Sequence, residues 1–206
     1  MIRLANFFSY LFHPLFVTTY IFSWILFTEN FFSYFFPLQV KILLLSMTLA
    51  FTVLLPVLNL YLLKRFNIVK DFKMEDKSQR SLPYFVTAFF YFGITYLIWN
   101  FSISPVFRAI LFASSISILL SSLINYKWKI SAHMVGAGGL VATIFFVSYF
   151  LKQQNTIWIC AAFLFAGTTG SARLLLQAHT EKEVYSGFLL GIVSVTLSLW
   201  ITLYFS

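Results

Sequence analysis

SARLLLQAHTEKE, residues 171–183, gathers an arginine, a histidine and three further charged residues in a chain that is 60% hydrophobic and 10% charged. Apolar runs flank it at 156–172 and 184–205. Each run approaches the ~17–25 residues a helix needs to cross the hydrocarbon of a bilayer. The stretch therefore reads as a polar turn between two membrane spans. Glu183 follows His179 by four positions, so on a helix its carboxylate reaches the imidazole. A carboxylate that orients a histidine favours a correctly tautomerised nucleophile or proton donor. Arg173 adds a planar, forked cation suited to phosphate.

Working outward, the same pattern repeats. The 206-residue chain has a mean hydropathy of +0.88, far above that of a soluble domain. Candidate spans lie at 14–36, 38–63, 83–101, 105–124, 132–151, 156–172 and 184–205. No alternating strand pattern competes, and helices satisfy their own backbone in lipid. The expected fold is all-α: a polytopic transmembrane helix bundle of about six to seven spans, forming one domain over 1–206, with a site at one membrane boundary. Thr28, Glu29 and Asn30 interrupt the first run, so a shorter helix followed by an interfacial segment, FFSYFFP at 31–37, is an alternative there. Arg3 and the apolar residues after it read as part of an uncleaved first span. Pro56 is expected to kink the second span. The formal charge of +8 fits loops flanking a membrane better than nucleic acid as partner.

Three polar segments punctuate the spans: KRFNIVKDFKMEDKSQRSL at 64–82, NYKWKIS at 125–131, and the opening stretch. Two spans separate each from the next, which puts all three on one face of the membrane. The first contains Lys73 and Arg80, the second leads into Ser131 and His133, and the third holds Arg173, His179 and Glu183. Ser131 stands at a helix N-cap position, where its hydroxyl and nearby amides can serve an anion.

In this order the residues resemble the type 2 phosphatidic acid phosphatase superfamily, membrane lipid phosphatases whose signatures are K-x6-R-P, P-S-G-H and S-R-x5-H-x3-D. This chain shows KMEDKSQRS (73–81), ISAH (130–133) and ARLLLQAHTEKE (172–183). Ser81, Ile130, Ala132, Ala172 and Glu183 depart from the signatures, while every charged or imidazole group keeps its place. The resemblance implies a phosphatase acting on phosphatidic acid, phosphatidylglycerol phosphate or a polyprenyl diphosphate. It implies His179 as nucleophile forming a phosphohistidine, Glu183 orienting it, and His133 as general acid. It implies Lys73, Arg80, Ser131 and Arg173 as phosphate ligands, with no metal or other cofactor. Alternatives are a lipid phosphotransferase using the same site, or a degenerate, non-catalytic lipid-binding subunit.

The resemblance also implies a bacterial inner-membrane protein, many of whose relatives face outward. Charge points the other way. Eleven of fourteen cations fall on the motif side, and only Lys41, Arg108 and Lys152 on the other. An excess of Lys and Arg marks the cytoplasmic side. Several residues read as bland. His13 has no partner in the motifs and is expected at the interface, Cys160 as a small packing residue, and GAGG (136–139) with Gly167 and Gly170 as points of close helix approach.

Overall fold

Each apolar run becomes a helix, and the polar segments between them become the turns. The structure is a computed structural model and describes residues 1–28, 31–70, 79–101 and 103–205. Among these residues there are helices and turns and no strands. Helix α1 (Ile2–Leu11) and α2 (Pro14–Phe27) meet at a 58° bend. A short α3 (Phe31–Phe35) leads to α4 (Leu38–Leu49), which continues through a π-helical turn (Ala50–Leu54) into α5 (Leu55–Arg65). Then come α6 (Ser81–Trp99), α7 (Pro105–Lys127), α8 (Ala132–Phe150), α9 (Thr156–Leu175) and α10 (Glu181–Tyr204). Six rods among the described residues, the first being the continuous Leu38–Arg65, are long and apolar enough to cross a membrane, and the bent pair α1–α2 would make a seventh if it counts as one span. The protein is thus a polytopic helical membrane protein.

The distribution of side chains fits lipid as solvent. Leu43, Leu54, Phe89, Phe145, Leu164, Leu189 and Leu197 are exposed within their rods. The interior between rods is rich in small and hydroxyl residues. Buried Thr87, Ser117, Ser121 and Thr143 each donate to the carbonyl four residues earlier, so none of these four hydroxyls is stranded. Ser117 and Ser194 also bond across α7 and α10 at 2.8 Å. Small residues and hydroxyls between helices are the usual means of association where lipid removes the hydrophobic drive.

Helix α8 is the centre of the bundle and packs on α10, α9, α2 and α7. Its tightest crossing is with α10. A β-carbon on Gly138 would collide with the Phe188 carbonyl, and one on Gly191 with the Val135 carbonyl. One on Gly187 would lie 2.7 Å from the Ser131 oxygen. Backbone therefore meets backbone along this seam.

Several expectations need correction. The run 14–36 is not one helix: α2 ends at Phe27 and α3 is a separate short helix. Residues 2–11 form a helix of their own, because Pro14 cannot donate a backbone hydrogen bond and the chain breaks at Phe12–His13. Pro56 is accommodated by the π turn just before it. The Leu55 N–H reaches back to the Ala50 carbonyl, which widens the turn where the proline ring would crowd the carbonyl four residues earlier. Cys160 is exposed on α9 rather than packed inside.

The seam gives a stability test. Gly191→Ala forces backbone apart and is expected to cost at least about 1–3 kcal/mol. Gly167→Ala meets nothing within 4 Å and should leave stability unchanged or slightly raised. Thermal unfolding of both variants in detergent checks the contrast.

Candidate functional site

The first turn of α10 builds one half of the site. Thr180 is the N-cap and Glu183 the third helical residue, and together they form a capping box. The Thr180 hydroxyl accepts from the Glu183 N–H at 3.4 Å, and Glu183 Oε2 accepts from the Thr180 N–H at 3.2 Å. The same Oε2 accepts from Nδ1–H of His179 at 2.8 Å. The contact expected from the four-residue spacing is therefore present, but for a different reason. His179 precedes the helix, and the cap, not a shared helix face, brings the two side chains together. A carboxylate cannot donate, so Nδ1 carries the hydrogen and the neutral ring keeps its lone pair on Nε2.

His179 reaches this place because α9 ends abruptly. Gln177 takes a left-handed conformation with φ of 49°. The Ala178 N–H then bonds back to the Arg173 carbonyl at 3.1 Å, a Schellman-type stop. The same last turn that carries Arg173 thus turns the chain toward His179.

The first turn of α8 supplies the second half. Ser131 is fully buried at the N-cap, and its N–H donates to the Glu183 carbonyl at 3.3 Å. Asn125 steadies the approach: its Oδ1 accepts from the Ile130 N–H at 3.2 Å while its amide donates to the Ser121 carbonyl at 2.8 Å. The Ser131 hydroxyl does not cap its own helix and finds no hydrogen-bond partner among the described residues. Arg173 is similar. It donates through one terminal nitrogen to Ser9 Oγ at 2.7 Å, yet its buried Nε has no partner and no described carboxylate pairs with it. Two buried, unfilled hydrogen-bonding groups at this end of the bundle each leave room for a further partner, and a cationic donor suits a phosphate oxygen.

His133 stands close by, within charge–charge range of Arg173, His13 and His179. Its Nε2–H donates to the Ser9 carbonyl at 3.1 Å. Arg80 is buried, and both Arg80 and Arg173 act electrostatically on His179. Tyr84, one turn into α6, lies within range of both guanidinium groups. The structure thus brings Arg80, Ser131, His133, Arg173, His179 and Glu183 to one end of the bundle. Lys73 lies outside the described residues. Among the described residues no three His, Cys, Asp or Glu side chains gather as a metal site.

Two members of this cluster escaped the reading of the sequence. Ser9 bridges Arg173 and His133, and the ring of His13 packs edge-on against that of His133 with centroids 5.2 Å apart. His13 is therefore not a lone interfacial histidine. The signal was slight: a histidine immediately before Pro14, where a helix must begin. Comparison with models of known families, with characterised proteins and with solved structures gives no match for this chain.

Burial, followed by the Arg80 and Arg173 charges, holds His179 down to about 4 against the pull of Glu183. At neutral pH the imidazole is uncharged and its Nε2 lone pair is free. Between about 4 and the ordinary value near 6.5 the unfolded chain binds a proton that the native one does not. His179 therefore makes stability fall as pH drops through that window. Glu183→Gln removes the charge that favours imidazolium, so the His179 midpoint should fall further. Histidine-resolved NMR titration in detergent measures it, and a rise would contradict this account.

Proposed function

We propose that this protein is an integral-membrane phosphatase that removes phosphate from a lipid phosphate monoester or diphosphate. Candidate substrates are phosphatidic acid, phosphatidylglycerol phosphate and a polyprenyl diphosphate. The observation that carries the reading is that a neutral His179, with Nε2 free, stands within charge range of Arg173, which keeps a buried donor unfilled.

In the proposed reaction His179 Nε2 attacks phosphorus, and a P–N bond forms as the bond to the leaving oxygen breaks. His133 takes up a proton as the phosphate's negative charge enters beside it and, as imidazolium, passes that proton from Nε2 to the leaving oxygen and ends neutral. Water then cleaves the P–N bond, its proton passing to His133 and the phosphate leaving. Glu183 keeps His179 in the reactive tautomer and stabilises the cation that forms on it. Arg80 and Arg173, joined by Lys73, offset the charge on the equatorial oxygens. The Ser131 hydroxyl adds a donor. Phosphoryl transfer depends mainly on such positioning and electrostatics.

A lipid substrate is favoured by what lies beneath the site. An apolar cavity of about 90 Å³ is lined by Tyr84 and Ala132 at the site end and by Ile21, Gly139, Thr143 and Val195 along α2, α8 and α10. Its hydroxyls at Thr87, Ser117, Ser121 and Thr143 are bonded to their own helices, so the wall offers hydrocarbon-like surface. A head group at the cations leaves its chain pointed into this space or the adjoining lipid. Face and membrane remain part of the proposal: Lys41, Arg108 and Lys152 lie away from the motif turns, and that asymmetry favours a cytoplasmic site in an inner membrane.

The test is phosphate release from a panel of lipid phosphates in detergent. We expect turnover that survives EDTA and is blocked by vanadate. His179→Ala should lower it by at least ~10³-fold, and Arg173→Ala by about 10²-fold. Retained turnover in His179→Ala would refute the assigned nucleophile. Transfer of phosphate to an added acceptor lipid in preference to water would make the protein a phosphotransferase.

A further inference from the structure

Ser9 uses up the donors that the proposed reaction needs. A neutral imidazole has one N–H, and that of His133 points at the Ser9 carbonyl. The Ser9 hydroxyl takes a hydrogen bond from Arg173 as well. His133 cannot protonate a leaving oxygen from Nε2 while that N–H stays on the backbone of α1. Nothing in α2 to α10 makes these two bonds, because both come from one residue near the end of α1.

Helix α1 is joined to the bundle at few points, one of them the Tyr20 hydroxyl of α2 donating to the Leu11 carbonyl at 2.7 Å. It is separated from α2 by the break at Phe12–His13 and the 58° bend. Its extensive packing among the described residues is against α9 alone. An open groove of about 410 Å³ runs beside that seat, lined by Leu4 and Phe8 of α1 and Leu164 and Gly167 of α9. The outer face carries exposed Ile2, Phe7, Tyr10 and Leu11, a surface at ease in lipid whether α1 is seated or lifted.

We propose that α1 is a lid over the anion pocket, with Ser9 standing in for the substrate by holding Arg173 and His133 until a phosphate group displaces it. The inference rests on the phosphate-site reading above and adds to it a gate and the residue that latches it. Substrate arriving from the bilayer meets α1 first, since the helix presents its apolar face outward. Binding then exchanges the Ser9 contacts for phosphate oxygens and frees the His133 N–H for the leaving group.

The test uses the full-length protein in detergent and orthovanadate or inorganic phosphate as probe, with affinity read by calorimetry. Ser9→Ala removes the latch to Arg173 and leaves the backbone intact. The expected result is binding roughly three- to tenfold tighter than wild type. A second measurement needs no change at Ser9. A fluorophore on Phe7→Cys, in a Cys160→Ser background, should change its emission when wild-type Ser9 is displaced by saturating vanadate. Equal or weaker binding by Ser9→Ala, or a silent reporter in protein that binds vanadate, overturns the lid and leaves the phosphatase reading standing. Absence of vanadate and phosphate binding in the wild type overturns both.

Discussion

The backbone-on-backbone crossing of α8 and α10 is the constraint from which the site follows. Gly138, Gly187 and Gly191 let the two helices approach until carbonyls occupy the space that β-carbons would fill. At that separation the first turns of both helices lie side by side, and the Ser131 amide bonds directly to the Glu183 carbonyl. One crossing therefore joins the residue that orients His179 to the turn that carries His133. A side chain of any size at Gly138 or Gly191 would spread these turns, and the two imidazoles with them. The catalytic proposal thus depends on glycines that touch no substrate.

The pocket is also expensive to maintain, which is a reason to read it as functional. Ionisable groups near hydrocarbon carry a large desolvation cost and persist where they serve an ion, a proton or a ligand. Here the cost is met in two ways. His179 gives up its charge and stays neutral at physiological pH. Arg173 keeps its charge and leans on Ser9, a weaker partner than an anion. A site arranged like this is left with something to gain when an anion enters.

Much of this was legible beforehand, and the failures have physical causes. Span positions follow from hydropathy, which depends on local composition alone. The meeting of the three polar segments follows from counting crossings. The His179–Glu183 pair was legible from spacing, though the real agent is T-x-x-E, a capping box whose first residue is Thr180. GFLLG at 187–191 has the glycine spacing of close helix contact, a role expected instead at 136–139, Gly167 and Gly170, of which Gly167 meets nothing within 4 Å. Ser9 and His13 were not legible, because nothing local tells where α1 folds after its break. That is a tertiary outcome set by packing on α9. Lys73 lies outside the described residues, so its expected place in the pocket stands on the motif alone.

The central claim is that segments far apart in sequence form one anion pocket, with His179 in line with the bound phosphorus. An experimental structure of the protein with vanadate bound tests it most directly. The account predicts vanadium bonded to Nε2 of His179, with its oxygens on Arg80, Arg173 and the Ser131 hydroxyl. Vanadate bound elsewhere, or His179 and Arg173 facing different ends of the bundle, would contradict it.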